Sequence, residues 1–175
     1  MSNIRKVIVN DAEMERIPMS TIRLEYVTPH HPDVQPTVAR LDEDLLRRYP
    51  PEDIFGMDFN DPHIDEVQFV LAYDGSVPVG CGAIRPLNEE MTELKRFFVD
   101  ANYRQQGIAA KILMKLELLA RDQKYTTIRL ETGDKQPESI HFYKKYGFYE
   151  IERYGPYADS DSSLCFEKIL SDQLS

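Results

Sequence analysis

TELKRFFVDANYRQQGIAAKILMKLELLARD, residues 92–122, holds two hydrophobic periods back to back. Thr92 to Val99 alternates as a strand does, with Leu94, Arg96 and Phe98 on one side and Glu93, Lys95, Phe97 and Val99 on the other. After the polar connector from Asp100 to Gln106 the spacing lengthens. Ile108, Ile112, Leu116 and Leu119 recur three or four apart, and Leu113 and Ala120 widen the stripe of an amphipathic helix that Gly107 opens. TTIRLE, from Thr126 to Glu131, is again strand-like. Strand, helix and strand of these lengths form a right-handed crossover unit whose two strands are parallel.

Upstream, VQFVLAYDGSVPVGCGAIRPL reads as a hairpin: Val67, Phe69, Leu71 and Tyr73 alternate, Asp74-Gly75 turns, and Val77, Val79, Cys81 and Ala83 resume the period. TIRLEYV, from Thr21 to Val27, is a further strand ended at Pro29. Val34 to Tyr49 is helical, with Val38, Leu41, Leu45 and Tyr49 on one face, until Pro50 and Pro51 stop it. PEDIFGMDFNDPHID reads as a short helical turn inside a loop, where Ile54, Phe55, Met57 and Phe59 are either core plugs or the wall of a pocket. In residues 1–20, IRKVIV is a short strand and DAEMERIP a helical turn ended by Pro18.

Downstream, Pro137 suits a first helical turn, Ile140, Tyr143 and Lys144 continue it, and Gly147 ends it with Phe148 as the apolar follower. FYEIERY and SSLCFEKIL form a terminal hairpin about the loop GPYADSD. No repeat or interdomain linker interrupts the 175 residues, which fit one domain.

Composition narrows the function classes. The net charge is -9, and residues 1–75 carry 7 Lys and Arg against 15 Asp and Glu, an excess that repels nucleic acid and favours a cationic partner if it reaches a cleft. The other reading of that acid is a solvated surface. No run of apolar residues is long enough for a membrane span, and the polar start lacks a signal-peptide core, which points to the cytoplasm. Cys81 and Cys165 read as reduced, buried thiols. His30, His31, His63 and His141 lack the spacing of a zinc site.

The hexamer RQQGIA, from Arg104 to Ala109, joins a strand to a helix whose first amides have no internal partner. Such amides attract anions, a glycine lets the backbone approach a phosphate, and Arg104 can add a bidentate contact. A tight turn with no ligand explains the same hexamer. It is neither GxxxxGK nor GxGxxG, so it fits no nucleotide or dinucleotide fingerprint.

Together with the order of elements, Glu93 upstream and QPESIHFYKKYGF downstream, this hexamer resembles the GCN5-related N-acetyltransferase family, most clearly from Val67 to Phe148. The resemblance implies a mixed, mainly antiparallel α/β sheet, splayed where the strand before RQQGIA and the Thr126–Glu131 strand diverge, with helices on both faces. It divides the single domain 1–175 into a variable acceptor side, 1–65, and a cofactor-binding core, 66–175.

It further implies acetyl coenzyme A as cosubstrate. Its pyrophosphate would fall on Arg104, Gln105, Gln106, Gly107, Ile108 and Ala109, and its pantetheine arm along the backbone of Phe97, Phe98 and Val99. Gln136 stands where the family has Asn, and Ser139 where it has Ala; Gln136 keeps an amide that both donates and accepts. Ala109 stands where many members have glycine.

Acetyl transfer to an amine needs a base, an oxyanion donor and an acid. The resemblance gives these to Glu93, with Glu131 in reserve, to a strand-end amide such as that of Phe98, and to Tyr143. Glu93 also reads as a cross-strand ion-pair partner, Tyr143 as an interior packing residue, and Lys95 and Arg96 as solvated or paired strand residues. The implied acceptor is a small cationic amine. Acetylation of a protein amine and a regulatory module that binds acyl coenzyme A without turnover remain open, as does a homodimer built through the terminal strands or the first helix.

Overall fold

The computed structural model describes residues 22–170, so the strand and turn expected within residues 1–20 lie outside it. Seven strands form one sheet: β1 (Ile22–Val27), β2 (Gln68–Asp74), β3 (Val77–Pro86), β4 (Met91–Val99), β5 (Thr127–Gly133), β6 (Tyr149–Ile151) and β7 (Ser163–Ile169). Three helices pack on it: α1 (Val34–Leu46), α2 (Ile108–Asp122) and α3 (Pro137–Lys145). The spatial order is β1-β2-β3-β4-β5-β7-β6, with the last strand inserted between its two predecessors. Every pairing is antiparallel except that of β4 with β5. Among the described residues no helix is long and apolar enough to cross a membrane.

The expected α/β sheet with helices on both faces is present. On one face Ile108, Ile112, Leu113, Leu116 and Ala120 of α2, and Tyr143 of α3, pack with Val70, Leu94, Leu130 and Phe166. On the other, Val34, Val38 and Leu41 of α1 cover Phe69, Leu71, Cys81 and Phe98. Full burial of one such aliphatic side chain is worth about 1.5–3 kcal/mol, so these two stripes fix the helices to the sheet. Met57 and Phe59 plug the α1 side of this core.

α1 ends at Leu46, not at the expected Tyr49, because the residue before a proline is driven out of the helical region and Pro50 and Pro51 follow. Tyr49 stays buried all the same, and its hydroxyl accepts a hydrogen bond from the Lys135 amide at 2.6 Å.

The alternation expected for β3 and β4 is broken by two bulges. In β3 the register shifts opposite Ala72 and Tyr73, so Val79 packs with α2 although Cys81 and Ala83 pack with α1. In β4 the register passes from Cys81↔Phe98 to Ala83↔Lys95, leaving Arg96 and Phe97 opposite Gly82 alone. Arg96 takes φ 51, the left-handed region. A Cβ on Gly82 would lie 2.9 Å from Leu116 and 3.1 Å from Phe97, so any side chain here would have to displace both. The extra residue reverses the parity. Glu93, Lys95 and Phe98 face α1, Arg96 reaches Asp42 of α1, and Leu94, Phe97 and Val99 face α2, against the expected grouping of Arg96 with Leu94 and of Glu93 with Phe97.

β4 and β5 pair over three residues only, Met91↔Thr127, Thr92↔Ile128 and Glu93↔Arg129. Beyond Glu93 they part, and the sheet is splayed.

Candidate active site

The splay opens a cleft of about 520 Å³ between the start of α2 and the start of α3. One wall is the turn from Arg104 to Gly107, in which Gln105 (φ 62) and Gly107 (φ 78) are both left-handed. The first helical amide to find an internal partner is that of Lys111, bonded to Gly107 O at 3.2 Å, so the amides just before it are left for a ligand. A Cβ at Gly107 would meet nothing within 4 Å, so the approach to these amides is open.

Phe97, Phe98, Val99, Arg104, Gln105, Gly107, Ile108, Ala109, Gln136 and Ser139 all border the cleft; Gln106 does not. Arg104 is engaged within the protein. Its Nε donates to Val99 O at 2.9 Å and one terminal nitrogen to Asp44 of α1 at 2.9 Å, so it braces the turn with the other terminal nitrogen left open. Gln136 Oε1 accepts from the Gly133 amide at 3.2 Å, which leaves its NH₂ group unspent.

The backbone of β4 presents a free edge here. Asp100 N donates to Val79 O at 2.8 Å, and alternation turns the Phe98 amide toward β3 as well, into its pair with Cys81. The amides turned into the splay are therefore those of Phe97 and Val99, not the expected Phe98, and Phe97 is the one beside the second cavity.

A second cavity, of about 80 Å³, continues from the cleft toward α1. Tyr143 borders both. Burial, and then the charge of Glu131, raise the Tyr143 pKa above the usual tyrosine value. Among the described residues no group is hydrogen-bonded to its hydroxyl. Glu131 of β5 also lines the second cavity. Desolvation raises its pKa, opposed by a hydrogen bond from Ser163 at 3.0 Å and by the charge of Lys95.

Glu93 takes a different place from the one expected for a base. Its side chain is 1% exposed and lines neither cavity. Arg85 donates to one oxygen at 2.7 Å and Tyr154 to the other at 2.6 Å, with Lys95 Nζ 3.9 Å away. The bulge explains this, because Glu93 points away from Phe97 and Val99 into a polar nest under the loop before β7.

Lys95 and Arg96, read from sequence as solvated or paired, are both more than nine-tenths buried and both line the second cavity. Tyr154 and Tyr157 come from the Tyr-Gly-Pro-Tyr turn that sequence reading passed over as a loop. Gly82 in a strand was the available signal for the bulge, and Gly155-Pro156 between aromatics was the signal for the turn. The acid of the front half does not gather here. Asp42 and Asp44 pair with Arg96 and Arg104, and Asp53 is the one acid among described residues 22–75 that lines this cavity.

The profile described as Acetyltransferase (GNAT) family matches residues 37–148, more than half of the chain. The chain belongs to the GNAT family. Among GNAT relatives, the IAA acetyltransferase of Azospirillum brasilense is 31% identical over 153 residues, which cover 87% of this chain and all of that protein. The N-acetyltransferase YedL of Escherichia coli, itself uncharacterized, is 32% identical over 81% of this chain and 87% of its own. A Klebsiella pneumoniae crystal structure described as an acyl-CoA N-acyltransferase superposes with TM-score 0.72 at 27% identity, covering 87% of this chain and 99% of that one. An Elizabethkingia anophelis GNAT structure with acetyl-CoA bound shares the fold, at TM-score 0.65 and 21% identity over 85% of this chain and 98% of its own. The GNAT match takes in the turn at Gly107, Glu131 and Tyr143 and stops before Tyr154 and Tyr157, so the nest around Glu93 is completed from outside it.

Proposed function

We propose that this chain transfers the acetyl group of acetyl-CoA to the amine of a small molecule by direct attack in a ternary complex. The observation that carries this reading is the junction of the long cleft with the second cavity at Tyr143. The cleft suits an extended anionic cosubstrate, because the helix amides at Gly107 meet phosphate and the free β4 edge at Phe97 and Val99 meets an amide-bearing arm. A cavity of about 80 Å³ suits a small acceptor rather than a protein segment.

Acetyl-CoA supplies an acyl carbon activated as a thioester. The protein supplies the rest. Glu131 takes the proton from the amine, directly or through a water, and its raised pKa brings the carboxylate closer to the acidity of the proton it must move. The Phe97 amide donates to the acyl oxygen as that oxygen gains negative charge, and needs no reorganisation to do so. Tyr143, whose raised pKa keeps it protonated at neutral pH, donates its proton to the departing sulfur. Glu93 holds Arg85 and Tyr154 in place and stays outside the proton path.

Gly107→Glu tests the cleft. The new carboxylate would occupy the positive end of α2 as an internal competitor, on a backbone conformation that resists a side chain. Calorimetric titration should show acetyl-CoA affinity reduced at least tenfold, about 1.4 kcal/mol. Gly107→Asn, which tolerates the left-handed region and adds no charge, should lose less. Unchanged affinity in a folded Gly107→Glu protein would place the cosubstrate elsewhere.

A further inference from the structure

We propose that the acceptor is an amino acid, whose carboxylate docks on Lys95 and Arg96 while its amine faces Glu131. This rests on the acetyl-transfer reading and names the substrate class for the same site.

Neighbouring residues of a strand point to opposite faces, yet these two cations reach the same side because Arg96 is the bulged residue of β4. A left-handed arginine carries backbone strain, which the surrounding structure must hold. Both side chains are buried beside the cavity, at 9% and 6% exposure.

Neither has its donors filled. Arg96 gives one terminal nitrogen to Asp42 and the other to Phe55 O at 3.0 Å, and its Nε is buried with no partner. Lys95 Nζ donates to Tyr157 at 2.9 Å, and the nearest carboxylate, Glu93 at 3.9 Å, is already bonded to Arg85 and Tyr154. Desolvation lowers the Lys95 pKa against the pull of Glu93. Lys95 spends one of its three donors on Tyr157 and lines the cavity beside Arg96, so a carboxylate arriving there finds charged donors already held in place.

A polyamine would place a second positive charge against these groups. A simple amine would leave them unpaired. An amino acid satisfies both ends of the cavity, since Glu131 lies across it on β5 and the Phe97 amide follows Arg96 in the chain.

The experiment offers free L-amino acids, their carboxamides and the matching amines without the carboxylate, and follows both thiol release and binding to CoA-loaded protein by calorimetry. The best free acid should exceed its carboxamide in kcat/KM and in affinity by roughly tenfold or more, the worth of one lost charge-assisted contact. Lys95→Met should raise KM for the acid by a similar factor and bring the acid-to-amide ratio near one, and Lys95→Arg should keep the preference. Equal use of acid and amide, or no saturable binding of any free amino acid, overturns the proposal. If Lys95→Met fails to fold, the acid-to-amide ratio in the parent protein decides alone. Acid-selective binding without any acetylated product would instead leave this assignment standing and remove the acetyl-transfer reading.

Discussion

Tyr143→Phe should keep acetyl-CoA affinity and lower kcat by roughly 10²-fold or more, the usual worth of a positioned general acid. The ring is held apart from its hydroxyl's task. It lies 6.0 Å from Phe97, 5.5 Å from Phe142 and 5.6 Å from Phe148 between ring centroids, contacts that phenylalanine keeps. Tyr143 borders both the cleft and the second cavity, and phenylalanine keeps its ring there and removes the proton donor. A loss confined to kcat, with KM for both substrates unchanged, marks an interaction made in the transition state. Parental kcat in the variant, under conditions where chemistry limits the rate, would show that the leaving sulfur takes its proton from solvent.

Glu131 and Glu93 should separate by opposite effects on stability and rate. Glu131→Gln should cost activity most in the window above the titration of Glu131 and below that of the amine, and partly recover as free amine becomes available, with kcat reduced on the order of 10²-fold inside that window. Because desolvation raises the folded-state pKa of Glu131, its contribution to stability is present below the unfolded pKa and is lost as pH rises through the folded value. At pH 7 the ionised parent therefore carries a penalty that glutamine removes, while Ser163 can still donate to the amide oxygen. The variant should melt at or above the parent temperature at neutral pH, and the gap should close in acid.

Glu93→Gln should do the reverse. Removing the charge between Arg85 and Lys95 leaves the buried Lys95 without its nearest carboxylate, while the more exposed Arg85 can turn to solvent, a loss of up to about 3–5 kcal/mol, read as a lower denaturant midpoint. The kcat of the fraction that remains folded should stay near the parent value. If Glu93→Gln instead retains parental stability and loses turnover in acid, the base is Glu93.

The sheet, the crossover unit and the turn at Gly107 were legible because each is written in local periodicity: two residues for β4, three or four for α2, a glycine at the change between them. The walls of the cleft followed, since Arg104 to Ala109 and Gln136 to Ser139 lie at element ends that the pattern marks. What alternation could not carry was parity past Gly82. The bulge there depends on Leu116 and Phe97 crowding a glycine from distant parts of the chain. With parity went the place of Glu93, the sharing of one face by Lys95 and Arg96, and the identity of the inward amide. The insertion of β7 between β5 and β6 was equally hidden, because either edge of the sheet satisfies the same alternating sequence.

The single extra residue at Arg96 makes β4 behave like a message with a shifted reading frame. Before it the odd-numbered residues face α1, and after it the even-numbered ones do. Deleting Arg96 would let Phe97 follow Lys95 in plain alternation, with Phe97 and Val99 still toward α2 and Phe98 still toward α1, so the second cavity alone would change, losing the cation beside Lys95. Two adjacent positive charges on one face of a strand are thus a product of chain length as much as of residue type. Straightening the strand would leave the walls of the cleft in place and take one charge from the neighbouring cavity.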